Sequence, residues 1–457
     1  MLSPVPSYTK GEEDTGYFAA SDAKSLHSVD GGGDNLSDTK AEEASIDQAI
    51  TEETLHRNAS NWSAFMNVVC VVAGTGVLQL PYALSEGGWV SVILILLSGF
   101  IGVYSGTILI RCLYYKPDRR LSSFPEIGEA AFGKPGLYVT LFFHYLYILG
   151  AICIYIILAG DNIDGLFRQV DVNVNAKVWK LIVALVMWAP FVVMKSMREV
   201  AVLALFGYVA TVVVVIITVV VGFVELSSIH ASNTITYAAL TITSLPSAIA
   251  SISFAFSGTV VYPHVEASMK NPRDWTKVLA VSMFSITVLY LIMSVCSYAI
   301  WGNTTMSPVL SNLPNGVPKT IALILISLHV ILAAPIMLTT VAMEFETSWD
   351  ITVDRLGKAK ELMIRFTFRS LIVAALYGIA IAIPYFSDVL NLVGALSTTM
   401  VFFVFPIVFY VRLYGIKVLN WWERFFAIII LILGVVGLII GSVQAIQDLV
   451  RHIQEDQ

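Results

Sequence analysis

The chain is poor in charge and in cysteine, and both shortages limit what it can be. Charged residues make up 13% of its 457 residues, whereas hydrophobic residues make up 57%. A soluble protein of this composition would expose much apolar surface to water, so we expect a polytopic membrane protein. The four cysteines, Cys70, Cys112, Cys153 and Cys296, lie in or at the ends of apolar runs. They provide neither a disulfide framework nor the ligand spacing of a metal site.

Motifs of catalysis are also missing. The sequence carries no nucleotide-binding motif, catalytic triad or metal-ligand cluster. We therefore expect a protein that is not an enzyme and that needs no cofactor, metal or nucleic-acid partner. No apolar run begins at the N-terminus, which predicts that the first membrane span directs the chain to the membrane in place of a cleavable signal peptide.

Residues 1–55 differ from the rest of the chain. They are rich in Ser, Gly, Asp and Glu, and twelve acidic residues face only three lysines. Such a segment cannot bury enough apolar surface to offset the entropy lost on ordering. We predict a disordered, acidic cytosolic tail, for which phosphorylation or trafficking roles are possible alternatives to simple solvation.

Long apolar runs fill the remainder of the chain. A helix needs about 20 apolar residues to cross a bilayer. We predict an all-α membrane domain over residues 56–446 and a short tail over 447–457. The eleven predicted spans lie near residues 62–84, 89–112, 137–160, 178–194, 200–224, 244–264, 277–301, 318–343, 366–383, 388–411 and 422–445.

The distribution of basic residues predicts the orientation. With the N-terminal tail in the cytosol, 22 of the 27 Lys and Arg residues fall on the cytosolic side of the eleven spans. Cytosolic loops carry such an excess in membrane proteins. The segment from Arg355 to Arg369 is then cytosolic. Asn303, in an Asn-Thr-Thr glycosylation sequon, lies on the far side, as does the C-terminal tail.

Two of the apolar runs contain helix breakers. The first run holds Gly74, Gly76 and Pro81, and the sixth holds Gly258 and Pro263. An unpaired backbone group costs several kcal/mol in lipid, so a break at membrane depth is tolerated where it lines a cavity inside the protein. Matching interruptions in two halves of a chain indicate a transporter's binding site. The alternative for each glycine is close packing between helices.

Several stretches resemble one known family. The motif GTGVLQLPYAL at 74–84, followed by EGGW at 86–89, resembles the first-helix signature of the amino acid/auxin permease family. The stretch FPEIGEAAFG at 124–133 is similar to the family's loop before helix 3. The stretch IILAGDN at 156–162 resembles the end of helix 3 in its vacuolar and vesicular branch, and PHVEASMKNP at 263–272 resembles the family's sixth-helix ending.

The resemblance implies a LeuT-type fold, in which helices 1–5 and 6–10 form inverted repeats and helix 11 is added. It also implies amino acid transport coupled to protons. Members of the branch include vacuolar amino acid transporters and the vesicular inhibitory amino acid transporter, which are exchangers that load acidic compartments. We expect a vacuolar, lysosomal or vesicle membrane, and a monomeric transport unit with an amino acid, protons and the lipid bilayer as partners.

An amino acid zwitterion needs donors for its carboxylate and acceptors for its ammonium group. A broken helix supplies both, because its N-terminal half-helix end offers N–H groups and the opposing end offers carbonyls. The residues assigned to substrate contacts at the two breaks are Gly74, Thr75, Gly76, Val77, Ser257, Gly258 and Thr259. Helix 3 of LeuT-type proteins also contributes a tyrosine, for which we prefer Tyr155 to Tyr147. No charged residue lies within either break, which favours a neutral substrate.

Proton coupling requires a titratable group. His329 lies near the middle of helix 8, and histidine titrates in the range of an acidic organelle. Glu266 follows the sixth-helix break; we assign it to gating at the cytosolic mouth, although it could simply pair with Lys270. His144 and His264 are weaker candidates, and Thr339 and Thr340 on helix 8 are the ligands expected if sodium replaces the proton.

Two other functions remain open at this point. A nutrient sensor would keep the binding site and signal through the acidic tail, so it would bind substrate without transporting it. A plasma-membrane importer, which could be sodium-coupled, would differ in direction and in driving ion. The sequence by itself does not choose between these alternatives.

Overall fold

A computed structural model gives the structure of the protein. It describes residues 59–116, 119–193, 200–232, 234–349, 351 and 353–455. The predicted acidic tail, residues 1–55, lies outside the described residues. Within the described part, the chain is almost entirely helical, as the sequence predicts, and a single isolated β-bridge joins Ala59 to Met269.

The helices follow the predicted order along the chain. The first half contains α1 (Asn61–Val72), α2 (Gly76–Gly87), α3 (Val90–Leu113), α4 (Phe124–Arg168), α5 (Ala176–Val193), α6 (Val200–Val224) and α7 (Leu226–Ser232). The second half contains α8 (Leu245–Phe256), α9 (Tyr262–Ser268), α10 (Trp275–Trp301), α11 (Val317–Ser348), α12 (Val353–Leu356), α13 (Lys358–Ala382), α14 (Phe386–Val393), α15 (Phe405–Tyr414), α16 (Trp421–Val436) and α17 (Ser442–Glu455). Stretches of π-helix, Gly394–Val404 and Gly437–Gly441, join α14 to α15 and α16 to α17.

The number of membrane spans depends on how the broken helices are counted. Nine helical stretches of the described chain are long and apolar enough to cross a bilayer, and the total is ten when α1 and α2 count as one span bent by 50°. The predicted sixth span, 244–264, is divided between α8 and α9. Each piece is too short to cross alone, because about 20 residues are needed. The predicted eleven spans are therefore not reproduced one for one.

Three boundaries differ from the predictions. The predicted loop at 124–133 is helical and forms the start of α4, with a kink at Gly133, whose φ of 68° suits a residue without a Cβ. The ninth span begins at Lys358, eight residues earlier than predicted. The predicted tail, 447–457, continues α17 as far as Glu455. In each case polar residues extend a helix beyond its apolar core, so hydropathy underestimates its length.

The segment from Arg355 to Arg369 also differs from a simple loop. Arg369 lies within α13 and is 1% exposed. It pairs with Glu346 of α11, with its Nε 2.9 Å from a carboxylate oxygen. Arg369 therefore forms a buried ion pair between helices, and exposed residues such as Lys358 indicate the orientation of this segment.

We expect Lys358 and Asn303 to lie on opposite sides of the membrane, since the positive-inside rule places only the first in the cytosol. The test is labelling of single cysteines introduced at these positions by a membrane-impermeant reagent. Cys70, Cys112 and Cys153 are buried, so Cys296→Ser gives a suitable background. Labelling of both positions from one side would contradict the predicted topology.

Candidate functional site

The first break separates α1 from α2. The α1 helix ends at Val72 and α2 begins at Gly76, and the residues between them are buried. A Cβ at Gly74 would lie 3.3 Å from the hydroxyl of Tyr155 and 3.7 Å from Nε2 of His329. The structure therefore brings three of the predicted site residues together at this break.

The second break, residues 257–261, separates α8 from α9 and is likewise buried. The hydroxyl of Tyr147 donates to the carbonyl of Ser257 at 2.8 Å. The hydroxyl of Thr259 donates to the carbonyl of Val401 at 3.1 Å. Tyr147 thus contacts the second break, and Tyr155 lies next to the first. Both tyrosines of helix 3 therefore lie at the candidate site, and not Tyr155 alone.

Two of the predicted glycines lie at close helix contacts. A Cβ at Gly76 would be 2.4 Å from the Cα of Ala255, and a Cβ at Gly258 would be 2.6 Å from a methyl carbon of Val72. Atoms cannot approach this closely, so only glycine allows α2 to meet α8, and the second break to meet α1, at these distances. Both glycines therefore allow close packing between helices, which was the alternative to a binding role. Their backbone groups remain available for contacts with a substrate.

A tyrosine that the sequence analysis did not select joins the two breaks. The hydroxyl of Tyr290, on α10, lies 2.6 Å from the carbonyl of Val72 and 2.7 Å from that of Ala255. The hydroxyl of Thr211, on α6, donates to the carbonyl of Ala73 at 3.0 Å. These carbonyls lie at the C-terminal ends of α1 and α8, which carry partial negative charge; that of Val72 also accepts from the backbone amide of Gly74 at 2.8 Å. Hydroxyl donors from neighbouring helices compensate for this in the structure.

Other polar atoms at the breaks have no such compensation. Within the described residues, both ring nitrogens of His329, the hydroxyl of Ser257 and the hydroxyl of Tyr262 are buried without a hydrogen-bond partner. Each unsatisfied buried group costs about 1–3 kcal/mol. Such a set of groups, gathered around two helix breaks, is suited to hydrogen-bonding a polar ligand.

A polar network lies one turn beyond Gly76 on α2. The fully buried Gln79 donates to the hydroxyls of Ser251 and Ser387 at 3.3 and 3.0 Å, and accepts a hydrogen bond from Ser307. Ser251 in turn donates to Asn391 at 2.6 Å. The network links α2, α8, α14 and the loop before α11. A polar residue in a membrane span is a signal that could have identified Gln79 from sequence.

The remaining predicted residues have other partners. Glu266 is fully buried on α9 and accepts a hydrogen bond from the hydroxyl of Tyr114. Thr339 donates to the carbonyl of Pro335 in its own helix at 2.7 Å. The side-chain oxygen of Asn303 accepts from the backbone amide of Thr236 at 2.9 Å, in an exposed loop. None of these three hydrogen bonds reaches the atoms that form the breaks.

Comparison with known proteins places this geometry in context. A family model described as "Transmembrane amino acid transporter protein" matches residues 57–447. "Amino acid transporter AVT1C" from Arabidopsis thaliana is 28% identical over 418 residues, which are 88% of this chain and 72% of the relative. "Vesicular GABA transporter" from Caenorhabditis elegans is 25% identical over 401 residues, or 85% of this chain and 80% of the relative.

Solved structures with the same fold are also found. MhsT in complex with L-phenylalanine matches with a TM-score of 0.54 and 13% identity, over 83% of this chain and 99% of that one. The inward-facing conformation of Mhp1 matches with a TM-score of 0.53 and 12% identity, over 88% of this chain and 92% of that one. These matches confirm the expected LeuT-type fold.

Proposed function

The chain belongs to the transmembrane amino acid transporter family, and from this premise we propose that it is a proton-coupled secondary transporter of neutral amino acids. It works by alternating access, in which one part of the helix bundle moves against the other around a fixed site. The relative named as a vesicular transporter supports a vesicle membrane, and a vacuolar or lysosomal membrane belongs to the same proposal. The distribution of basic residues supports an N-terminus in the cytosol. The monomer is the transport unit.

One observation supports this proposal most strongly. His329, Ser257 and Tyr262 present buried polar atoms without partners at the two breaks. An amino acid at the breaks would satisfy such atoms. Its carboxylate would lie against the amides of Gly76 and Val77 at the N-terminus of α2, where the helix dipole favours an anion.

The ammonium group of the substrate would lie against the carbonyl ends of α1 and α8. Tyr290 bridges the carbonyls of Val72 and Ala255 at those ends. A hydroxyl carries one hydrogen and so donates fully to only one of two carbonyls at a time. Because the carbonyl of Val72 also accepts from the backbone amide of Gly74 at 2.8 Å, an ammonium group, with three donors, would chiefly serve the carbonyl of Ala255. In this proposal the substrate site at the two breaks is also lined by Gly74, Thr75, Tyr155, Gly258 and Thr259.

His329 is the coupling residue in this proposal. It is 1% exposed, its Nε2 lies near Gly74 without a hydrogen-bond partner among the described residues, and its Nδ1 lies against the backbone of Gly207. A proton gained or lost there would change the charge beside the substrate carboxylate. Glu266 is assigned to the cytosolic gate. Thr339 and Thr340 are the residues to examine if sodium proves to be the driving ion.

We expect the purified protein in liposomes to accumulate neutral amino acids under a pH gradient and to be indifferent to sodium. The reason is that the titratable His329 lies at the substrate site, whereas the Thr339 hydroxyl donates to its own helix. The measurement is uptake of a panel of radiolabelled amino acids with pH and sodium gradients imposed separately. Uptake that requires sodium at equal pH would contradict the proposal, and binding without flux would indicate a sensor.

A further inference from the structure

Three titratable side chains from three helices meet away from the helix breaks. Glu344 of α11 has a carboxylate oxygen 3.6 Å from Nε2 of His144 on α4. The same oxygen lies 4.0 Å from Nε2 of His264 on α9. These distances are within ion-pair range but too long for hydrogen bonds. We call His144, Glu344 and His264 the cytosolic triad, since α9 follows the sixth-helix break towards the predicted cytosolic side.

Exposure changes in steps across the cytosolic triad. The side chain of His264 is 36% exposed, that of Glu344 is 16% exposed and that of His144 is 1% exposed. Both ring nitrogens of His144 and both carboxylate oxygens of Glu344 are buried atoms without a hydrogen-bond partner in the described chain. The triad therefore leads from the exposed side chain of His264 to a closed interior at His144.

A neighbouring carboxylate shows what is unusual about Glu344. Glu346, two residues further along α11, pairs with Arg365 and Arg369. Arginine keeps its charge at any physiological pH, so that contact is permanent. The ion pairs of Glu344 are instead with two histidines, whose charge changes near neutral pH. The hydroxyl of Tyr145 also faces the Glu344 carboxylate, as a neutral hydrogen-bond donor rather than a charge partner.

The burial of Glu344 and His144 determines how many protons the two side chains bind together. A carboxylate out of water is costly when it has no compensating charge. One proton shared between Glu344 and His144 leaves the pair neutral, either as a carboxylate beside an imidazolium or as a carboxylic acid beside a neutral imidazole. Loss of that proton leaves an anion with the Tyr145 hydroxyl as a neutral donor but no cation. Such an anion requires water, for which the exposed side at His264 is the available route.

The position of the cytosolic triad links this proton to a moving element. Glu344 lies about four helical turns beyond His329 on α11. His264 belongs to α9, the short half-helix that follows the break, whereas His144 and Glu344 lie on long helices, α4 beyond its kink at Gly133 and α11. Movement of α9 relative to α4 and α11 would carry His264 away from Glu344 and admit water to the pair.

We propose that His144, Glu344 and His264 form a proton-exchange site on the cytosolic side of the transporter, which binds one proton while α9 is closed and releases it when α9 opens. The ligand of the site is the proton itself. This inference rests on the proposed function, because a proton site matters to transport only if transport is coupled to protons. It adds a second site to His329, at the opposite end of the path that a proton takes from the substrate to the cytosol.

The test compares variants of the full-length protein in liposomes, with a fluorescent pH dye inside to record proton movement during uptake. The substrate is whichever amino acid of the panel the wild type accumulates. We expect Glu344→Gln and His264→Gln to lower the proton movement per substrate by about tenfold, on the scale of a typical coupling free energy. Exchange of one labelled amino acid for another at equal pH should persist, because the substrate site is intact.

Two controls separate the outcomes. His230 lies elsewhere, 3.0 Å from the carbonyl of Ile300, and His230→Gln should behave as the wild type. Glu344→Asp should restore part of the proton movement, which a merely structural role would not predict. Because His264 is partly exposed, His264→Gln decides the question if Glu344→Gln fails to fold.

Two results would count against the cytosolic triad, and they are distinguishable. If the wild type moves protons with substrate and both Glu344→Gln and His264→Gln do so equally, the triad is not the exchange site, while the proposed function stands. If the wild type transports amino acids without moving protons, proton coupling itself is wrong and the triad has no part in transport.

Discussion

Replacement of Gly76 by leucine is expected to abolish transport. A Cβ at this position would lie 2.4 Å from the Cα and 2.7 Å from the Cβ of Ala255. Both are atoms held by the backbone of α8, so no flexible side chain can move aside. The α2 and α8 helices would have to separate, and these two half-helices flank the proposed substrate site. Overpacking of this kind costs about 1–3 kcal/mol of stability, so the unfolding temperature should fall as well.

The matched control is Gly378, in the middle of α13. A Cβ there would meet no atom within 4 Å. Gly378→Ala should keep normal transport, and its stability should be equal or higher by up to about 1 kcal/mol, because alanine favours helix. Uptake into liposomes and thermal unfolding in detergent measure the two effects. Normal uptake by Gly76→Leu would show that the close approach of α2 to α8 is not needed for transport.

Replacement of Arg369 by methionine is expected to give the largest loss of stability. Arg369 donates to both carboxylate oxygens of Glu346, at 2.9 and 3.2 Å, and to the carbonyl of Phe191. Its guanidinium also lies 5.0 Å from the centre of the Phe191 ring. It thereby joins α13 to α11 and α5 inside the protein. Removing one partner of a buried pair typically costs about 3–5 kcal/mol. Glu346 keeps its ion pair with Arg365 at 3.3 Å, so we expect a loss at the lower end of that range.

Three further variants test this interpretation by thermal unfolding. Arg369→Lys keeps the charge but loses the planar fork, so its stability should lie between the wild type and Arg369→Met. Lys277→Met removes an exposed pair with Asp274, 83% exposed at the lysine, and should have no measurable effect. Arg369→Met combined with Glu346→Leu should recover part of the loss. If Arg369→Met alone unfolds at the wild-type temperature, the pair does not stabilise the helix contacts.

Some buried polar groups in the interior do not contribute to stability. Glu346 and Arg369 satisfy each other, and Tyr290 satisfies carbonyls at both breaks. His329, Ser257 and Tyr262 are left without partners within the described residues. A protein optimised only for packing would replace such groups by apolar ones, since an unsatisfied polar atom is costly. Their presence at the breaks is therefore attributed to transport.

The sequence by itself determined the features that depend on local physics. Long apolar runs predict membrane helices because a bilayer has a fixed thickness and backbone groups must be paired within it. For the same reason the glycines near residues 74–76 and 258 predict broken helices, and the structure contains both breaks. The sequence also indicated the family, because each family motif is a contiguous stretch of residues that can be recognised without knowledge of the fold.

The tertiary structure alone decided which residues meet. Tyr290 lies within an apolar run far from both breaks in sequence, and nothing in that run shows that its hydroxyl reaches the carbonyls of Val72 and Ala255. The same is true of His144 and Glu344, which are separated by 200 positions and lie 3.6 Å apart. A membrane helix is apolar on nearly all faces, so hydropathy does not indicate its rotation. The packing of neighbouring helices sets that rotation, and with it which side chains contact the breaks.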